Sequence, residues 1–115
     1  MVKIQIRERN VEVPAGLRKH VEQRLNFALA RFGQRIARVI VRFSDGDAGD
    51  GETGHNLRCQ IHVGLRSRSA RVEDTDNDLF VAVDRAAERV SRSVARVLER
   101  ERDWDAGMSR PLAKP

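Results

Sequence analysis

Between Leu57 and Leu65 the chain alternates: Leu57, Cys59, Ile61, Val63 and Leu65 are apolar, and Arg58, Gln60, His62 and Gly64 stand between them. A period of two is that of a β-strand with one face buried and the other wet. The period recurs over residues 3–7, where Ile4 and Ile6 alternate with Lys3, Gln5 and Arg7. It recurs again over residues 37–44, where Val39, Val41 and Phe43 alternate with Arg38, Ile40 and Arg42. A short fourth strand is expected over residues 69–73, after a tight turn within residues 64–69. Amphipathic strands make a sheet that needs cover on one face.

Two stretches of helical period supply that cover. Leu17, Val21, Leu25, Ala28 and Phe32 form one stripe, with Pro14 suited to the first helical position and Gly33 to the stop. Val13 stands at the expected N-cap, where Ser, Thr or Asp is favoured. Leu79, Val83, Ala86, Ala87, Val90, Val94, Val97 and Leu98 form the other stripe, on a helix expected to run to about Arg102. Asp74, Asp76 and Asp78 precede it and favour its start through the helix dipole. The order β-α-β-β-β-α predicts an α+β two-layer sandwich, a four-stranded sheet covered on one face by two helices. The domain is expected over residues 1–102. Residues 103–115, with Gly107, Pro111 and Pro115, are expected as a flexible tail, and the glycine- and acid-rich residues 45–56 as a mobile connection.

The last helix carries a second stripe. Arg85, Arg89, Arg92, Arg96 and Arg100 fall in an arc about 80° wide, apart from the apolar stripe, and span about 22 Å. Arginine is the side chain best matched to phosphate geometry, so the ribbon is the first candidate for contact with a nucleic-acid backbone. Solvation alone is the competing reading, with Glu88 and Arg92 as an ordinary i,i+4 pair. Two features favour binding. The helix's own acids, Asp84, Glu88 and Glu99, sit beside the ribbon, and the basic excess extends beyond this helix. Net charge is +5 and the sequence pI about 10.6, which favours a polyanionic partner. The uncovered face of the sheet would carry Lys3, Gln5, Arg7, Arg38, Arg42, Arg58, Gln60, His62 and Arg71, a second basic surface. With aromatic content at 4% and no tyrosine, base stacking is not expected as the main binding mode.

Several chemistries find no support. The single cysteine, Cys59, sits among core-facing residues and reads as a buried, inert thiol. It allows no internal disulfide, in keeping with a cytoplasmic setting. His20, His55 and His62 are scattered. Asp45, Asp47, Asp50 and Glu52 fail the calcium-loop pattern, because the sixth position is Asp50 and the twelfth Asn56. No phosphate-binding glycine loop is present. The apolar stripe of the last helix is small and needed by the sheet, which argues against a membrane-surface role. No signal or membrane-spanning segment is visible. The expectation is a non-enzymatic protein with no metal, cofactor or small-molecule substrate.

The stretch Arg9-Asn10-Val11-Glu12-Val13-Pro14-Ala15-Gly16-Leu17-Arg18-Lys19-His20-Val21-Glu22 resembles the opening of the ribosome hibernation promoting factors and the related ribosome-associated inhibitor. Val72-Glu73-Asp74-Thr75-Asp76-Asn77-Asp78-Leu79-Phe80-Val81-Ala82-Val83-Asp84 resembles their second signature, an acidic turn that opens the last helix. Val41-Arg42-Phe43-Ser44-Asp45 and Arg58-Cys59-Gln60-Ile61 are similar to the middle strands of one subgroup. The resemblance spans about residues 3–102. It implies a β-α-β-β-β-α domain that binds small-subunit ribosomal RNA near the decoding region and blocks messenger and transfer RNA, so that idle ribosomes hibernate under stress. It places Arg85, Arg89, Arg92, Arg96 and Arg100 on the family's basic last helix, with Lys19, Arg24 and Arg31 on the first. Val13 departs from the family's capping Thr or Ser, and residues 47–54 lack the basic residue common in that loop. The chain resembles the short forms, which lack the domain through which long forms pair ribosomes, and is expected to be a monomer when free. The alternatives are another RNA-binding module, such as a subunit assembly factor, or a protein–protein regulatory domain.

Overall fold

The computed structural model describes residues 3–45 and 57–109, with backbone alone for 101–109. The chain runs β1 (Ile4–Arg9), α1 (Leu17–Leu29), a 3-10 segment (Ala30–Arg35), β2 (Ile36–Asp45), β3 (Leu57–Leu65), β4 (Ser69–Asp76) and α2 (Leu79–Ser109). The four strands lie in the order β1-β2-β3-β4. The parallel β1–β2 pair needs a crossover, and α1 provides it. β2–β3 and β3–β4 are antiparallel, so the sheet is mixed and both helices lie on one face. The expected α+β sandwich is the observed one.

The register sets the two faces. Ile4 and Ile6 pair with Val39 and Val41, Val41 with Ile61, and Phe43 with Cys59. Those residues point at the helices, where Val39, Val41, Phe43, Cys59, Ile61 and Val63 are buried. α1 covers them with Leu17, Val21, Leu25 and Leu29, and α2 with Leu79, Val83, Val90 and Val94. Ala82, Ala86 and Ala87 are fully buried too. Their small side chains let α2 lie close to the strands.

The element ends correct the sequence reading in four places. α1 begins at Leu17, not at Pro14, and its N-cap is Gly16 at φ 84°, with no side-chain cap. A left-handed backbone there suits glycine. The Pro14 carbonyl accepts from the Leu17 amide at 3.1 Å, so Pro14 opens a turn rather than the helix, and Val13 is not the cap position. At the other end α1 closes at Leu29 and tightens into the 3-10 segment. Gly33 has the positive φ (48°) expected of a stop, but at the kink within that segment. β4 continues past Glu73 to Asp76. Finally, α2 passes Arg102 and stays helical to Ser109, so residues 103–109 are helix rather than tail. Gly107 weakens a helix by only about 1 kcal/mol, and Pro111 is the first residue that must end one. Residues 110–115 and the connection at 46–56 lie outside the described residues.

Candidate nucleic-acid interface

The arginine ribbon of α2 is divided by what lies opposite it. Alternation along β4 puts Ala70, Val72, Asp74 and Asp76 on the covered face. α2 crosses there with Arg85 and Arg89. Arg85 Nη2 donates to Asp74 Oδ1 at 3.1 Å, to Asp76 Oδ2 at 3.0 Å and to the Thr75 carbonyl at 3.0 Å. Arg89 Nη1 donates to the Glu73 carbonyl at 2.8 Å and to Asp74 Oδ2 at 3.2 Å. The Asp74 side chain is only 13% exposed, so this carboxylate belongs to the body of the domain. Asp74, by hydrogen bond, is the main cause that raises the Arg85 pKa further. Asp76 is held below the usual carboxylate range, first by the Asp78 amide and then by Arg85. Only Asp78 acts as a cap of α2: its Oδ1 accepts from the Phe80 amide at 2.9 Å.

Arg92, Arg96 and Arg100 extend the ribbon beyond these acids. All three are exposed, and none has an ionic partner among the described residues. Reading α2 alone showed its own acids beside the ribbon. It missed the acids that β4 brings across from sequence positions 74 and 76. The signal was present in the alternation of Ala70, Val72, Asp74 and Asp76.

The α1 cations lie elsewhere. Asp84, next in sequence to Arg85, points the other way, toward α1. His20 Nε2 lies 2.7 Å from Asp84 Oδ1, and the His20 ring packs on Phe80 at 5.1 Å between centroids. Arg24 Nε is 3.0 Å from the same oxygen, close enough for charge attraction but off the line of a hydrogen bond. Arg31 Nη2 donates to Ser91 Oγ at 3.4 Å, and its guanidinium lies 4.7 Å over the Phe32 ring. Arg24 and Arg31 therefore share the α1–α2 seam, while Arg85 and Arg89 lie on the opposite flank of α2. Lys19 is exposed. The eight candidate residues do not form one patch. Phe27, which carried no weight in the sequence, is 80% exposed on α1.

The open face of the sheet is the third basic surface. Arg7, Arg42 and Gln60 align across it, as do Ile40, His62 and Arg71. His62 has its pKa lowered by burial and then by Arg71, Arg38 and Arg42. The covered side of the same strand behaves differently: the Cys59 thiol is pushed up to about 12 by burial and by Asp74, which leaves it protonated and unreactive. Among the described residues no three His, Cys, Asp or Glu side chains group as a metal site, and no helix is long and apolar enough to cross a membrane.

The profile of the family described as Sigma 54 modulation protein / S30EA ribosomal protein matches residues 4–102. The chain belongs to this family. Its match takes in β1 through most of α2, so every basic surface described above lies within the family domain. A chloroplast ribosome-binding factor of Spinacia oleracea, PSRP1, is 26% identical over 104 residues, 89% of this chain. The chain spans 34% of that relative's length. Among solved structures, the N-terminal domain of Thermus thermophilus Protein Y superposes with a TM-score of 0.65 at 30% identity, covering 84% of this chain and 99% of that one. A ribosomal subunit interface protein from Coxiella burnetii shares the fold, with a TM-score of 0.71 at 15% identity, covering 85% and 99%. The S30EA family is one of ribosome-associated factors, not a class of enzymes.

Proposed function

We propose that this chain binds the small ribosomal subunit on its RNA near the decoding region and stops translation by occupying space that messenger and transfer RNA require. The observation that carries this reading is the stretch of α2 where Arg92, Arg96 and Arg100 are exposed with no ionic partner among the described residues, in a domain of a ribosome-associated family. The names of the spinach and Coxiella relatives, a ribosome-binding factor and a subunit interface protein, point the same way. The binding is electrostatic and steric. Guanidinium groups displace counterions from phosphates, and the folded body excludes competing ligands. Recognition follows the shape of folded RNA more than base identity. No catalytic step, cofactor or metal is part of it, and the free protein acts as a cytoplasmic monomer.

Sedimentation tests it directly. The chain should travel with small subunits and whole ribosomes at low salt, leave them at high salt, and be excluded by transfer RNA bound beforehand. A chain that stays at the top of the gradient at low salt, or that binds equally well to ribosomes filled with transfer RNA, would overturn the proposal.

A further inference from the structure

The open face of the sheet has the charge of a binding surface and no structural duty that accounts for it. Its positions are fixed by the register: residues 3, 5, 7 and 9 of the first strand and its approach, 38 to 44 on β2, 58 to 64 on β3, and 69 to 75 on β4, taking alternate residues. Lys3, Arg7, Arg9, Arg38, Arg42 and Arg71 are exposed on it. Glu73 is the one acid at these positions, and it is already engaged, 3.3 Å from Arg58 Nε and accepting from Gln60 Nε2 at 3.2 Å. Like charges on neighbouring strands repel. In the register Arg7 stands directly beside Arg42, and β3 separates Arg38 and Arg42 from Arg71 only by Gly64, Gln60 and His62. The contrast with the α2–β4 edge is internal to the molecule. There the fold supplies Asp74 and Asp76 to meet two arginines, and here, among the described residues, it supplies no comparable acid.

We propose that this face is a second RNA-binding surface, on which the sugar–phosphate backbone of a ribosomal RNA segment lies, so that the domain is held between two segments of RNA. The inference rests on the ribosome-binding function proposed above. Charge complementarity names the partner: a dense, flat array of guanidinium groups matches a polyanion, and guanidinium suits phosphate in particular. Side chains on one face of a strand recur about every 6.8 Å and strands about every 4.8 Å, so the array offers several phosphates a donor at once. The face carries no Phe, Tyr or Trp, and His62 is its one ring, so contact with the backbone outweighs base stacking. Its geometry is arranged around Arg38. A Cβ on Gly64 would lie 3.3 Å from Arg38 Cγ, so glycine at this cross-strand position lets the arginine lie flat over β3. Arg38 and Lys3 also border a cleft of about 570 Å3 at the corner of the sheet, lined as well by Asn26 and Gln34.

The test uses purified small subunits and two variants of the whole chain. R38Q/R42Q/R71Q keeps polar side chains and removes charge from the open face, and R92A/R96A/R100A removes charge from α2. Each should weaken binding at least about tenfold, and each should lower the slope of log affinity against log salt by about 2 to 3 units. Thermal unfolding of the sheet variant should match wild type. A sheet variant with wild-type affinity and slope, beside a helix variant that loses both, overturns the inference and leaves the ribosome reading standing. Failure of the wild-type chain to bind small subunits overturns both. A second arm does not depend on the arginine variants. Since Cys59 is buried, a cleaving Fe–EDTA tether can be attached selectively to Thr75→Cys on the open face or to Glu99→Cys beside the helix ribbon. Cleavage of ribosomal RNA at different nucleotides from the two tethers supports the inference. Cleavage from the Glu99→Cys tether alone overturns it, as it would if the open face met a ribosomal protein instead.

Discussion

At the β4 edge, Arg85 and Arg89 rest against Asp74, Asp76 and backbone carbonyls of the strand. On the open face, Arg38, Arg42 and Arg71 surround a histidine, and each helps to depress its pKa. The residue type is the same and the roles are opposite. Guanidinium groups at the edge hold a helix to a strand. Arg38, Arg42 and Arg71 on the open face, like Arg92, Arg96 and Arg100 farther along α2, are exposed and have no ionic partner among the described residues. A run of like charge therefore describes a surface only after the elements packed against it are known.

The largest effect should come from moving a charge between the two faces of one strand. Cys59 is fully buried and pairs across strands with Asp74. Cys59→Asp should abolish cooperative unfolding, because it buries a charge beside another acid. Cys59→Ala should cost about 1 kcal/mol through a small cavity. His62→Asp, three residues along and on the other face, should change stability by less than about 1 kcal/mol. Urea unfolding of the three variants compares the faces, and a folded Cys59→Asp would refute the assignment of the covered side.

Next in size is the split within the ribbon. R92A/R96A/R100A should lose at least about tenfold in small-subunit affinity. R85A/R89A should leave affinity within about twofold, since paired surface charges contribute little outward, while lowering the thermal midpoint. An equal affinity loss in both variants would show that RNA competes successfully with Asp74 and that the two halves do not differ.

A smaller effect should follow pH. In the free protein His62 favours its neutral form, so the unfolded chain binds more protons near the ordinary histidine value of about 6.5. The stability tied to His62 is complete above that value and declines as pH falls below it. RNA on the open face would reverse the field of Arg38, Arg42 and Arg71 and favour the imidazolium. Binding would then take up a proton, and affinity should rise by a few-fold as pH drops through about 6.5. H62Q should flatten this rise, and its persistence in H62Q would remove His62 from the account. The smallest expected effect is at Glu88 and Glu99, exposed beside the ribbon. Changing both to Gln should leave affinity equal or slightly higher, measured in the same salt series, and a clear loss would make these acids part of the interface.

The fold class, the strand and helix order, and the apolar side of each element were legible in the residues. Those follow from periods of two and 3.6, which are local properties of the chain. Alternation from Leu57 to Leu65 was enough to place Cys59 inside and His62 outside, and the family resemblance was carried by contiguous stretches. Boundaries were less visible. The start of α1 depended on a left-handed Gly16, and the end of α2 on the absence of any strong breaker before Pro111. The division of the candidate site came from packing. Arg85 and Asp74 are neighbours because a turn and a register bring β4 under α2, and Arg24 meets Asp84 because two helices pack side by side. Ion pairing depends on distances of a few ångströms across long sequence separations. A single helix, however regular its stripe, does not contain that information.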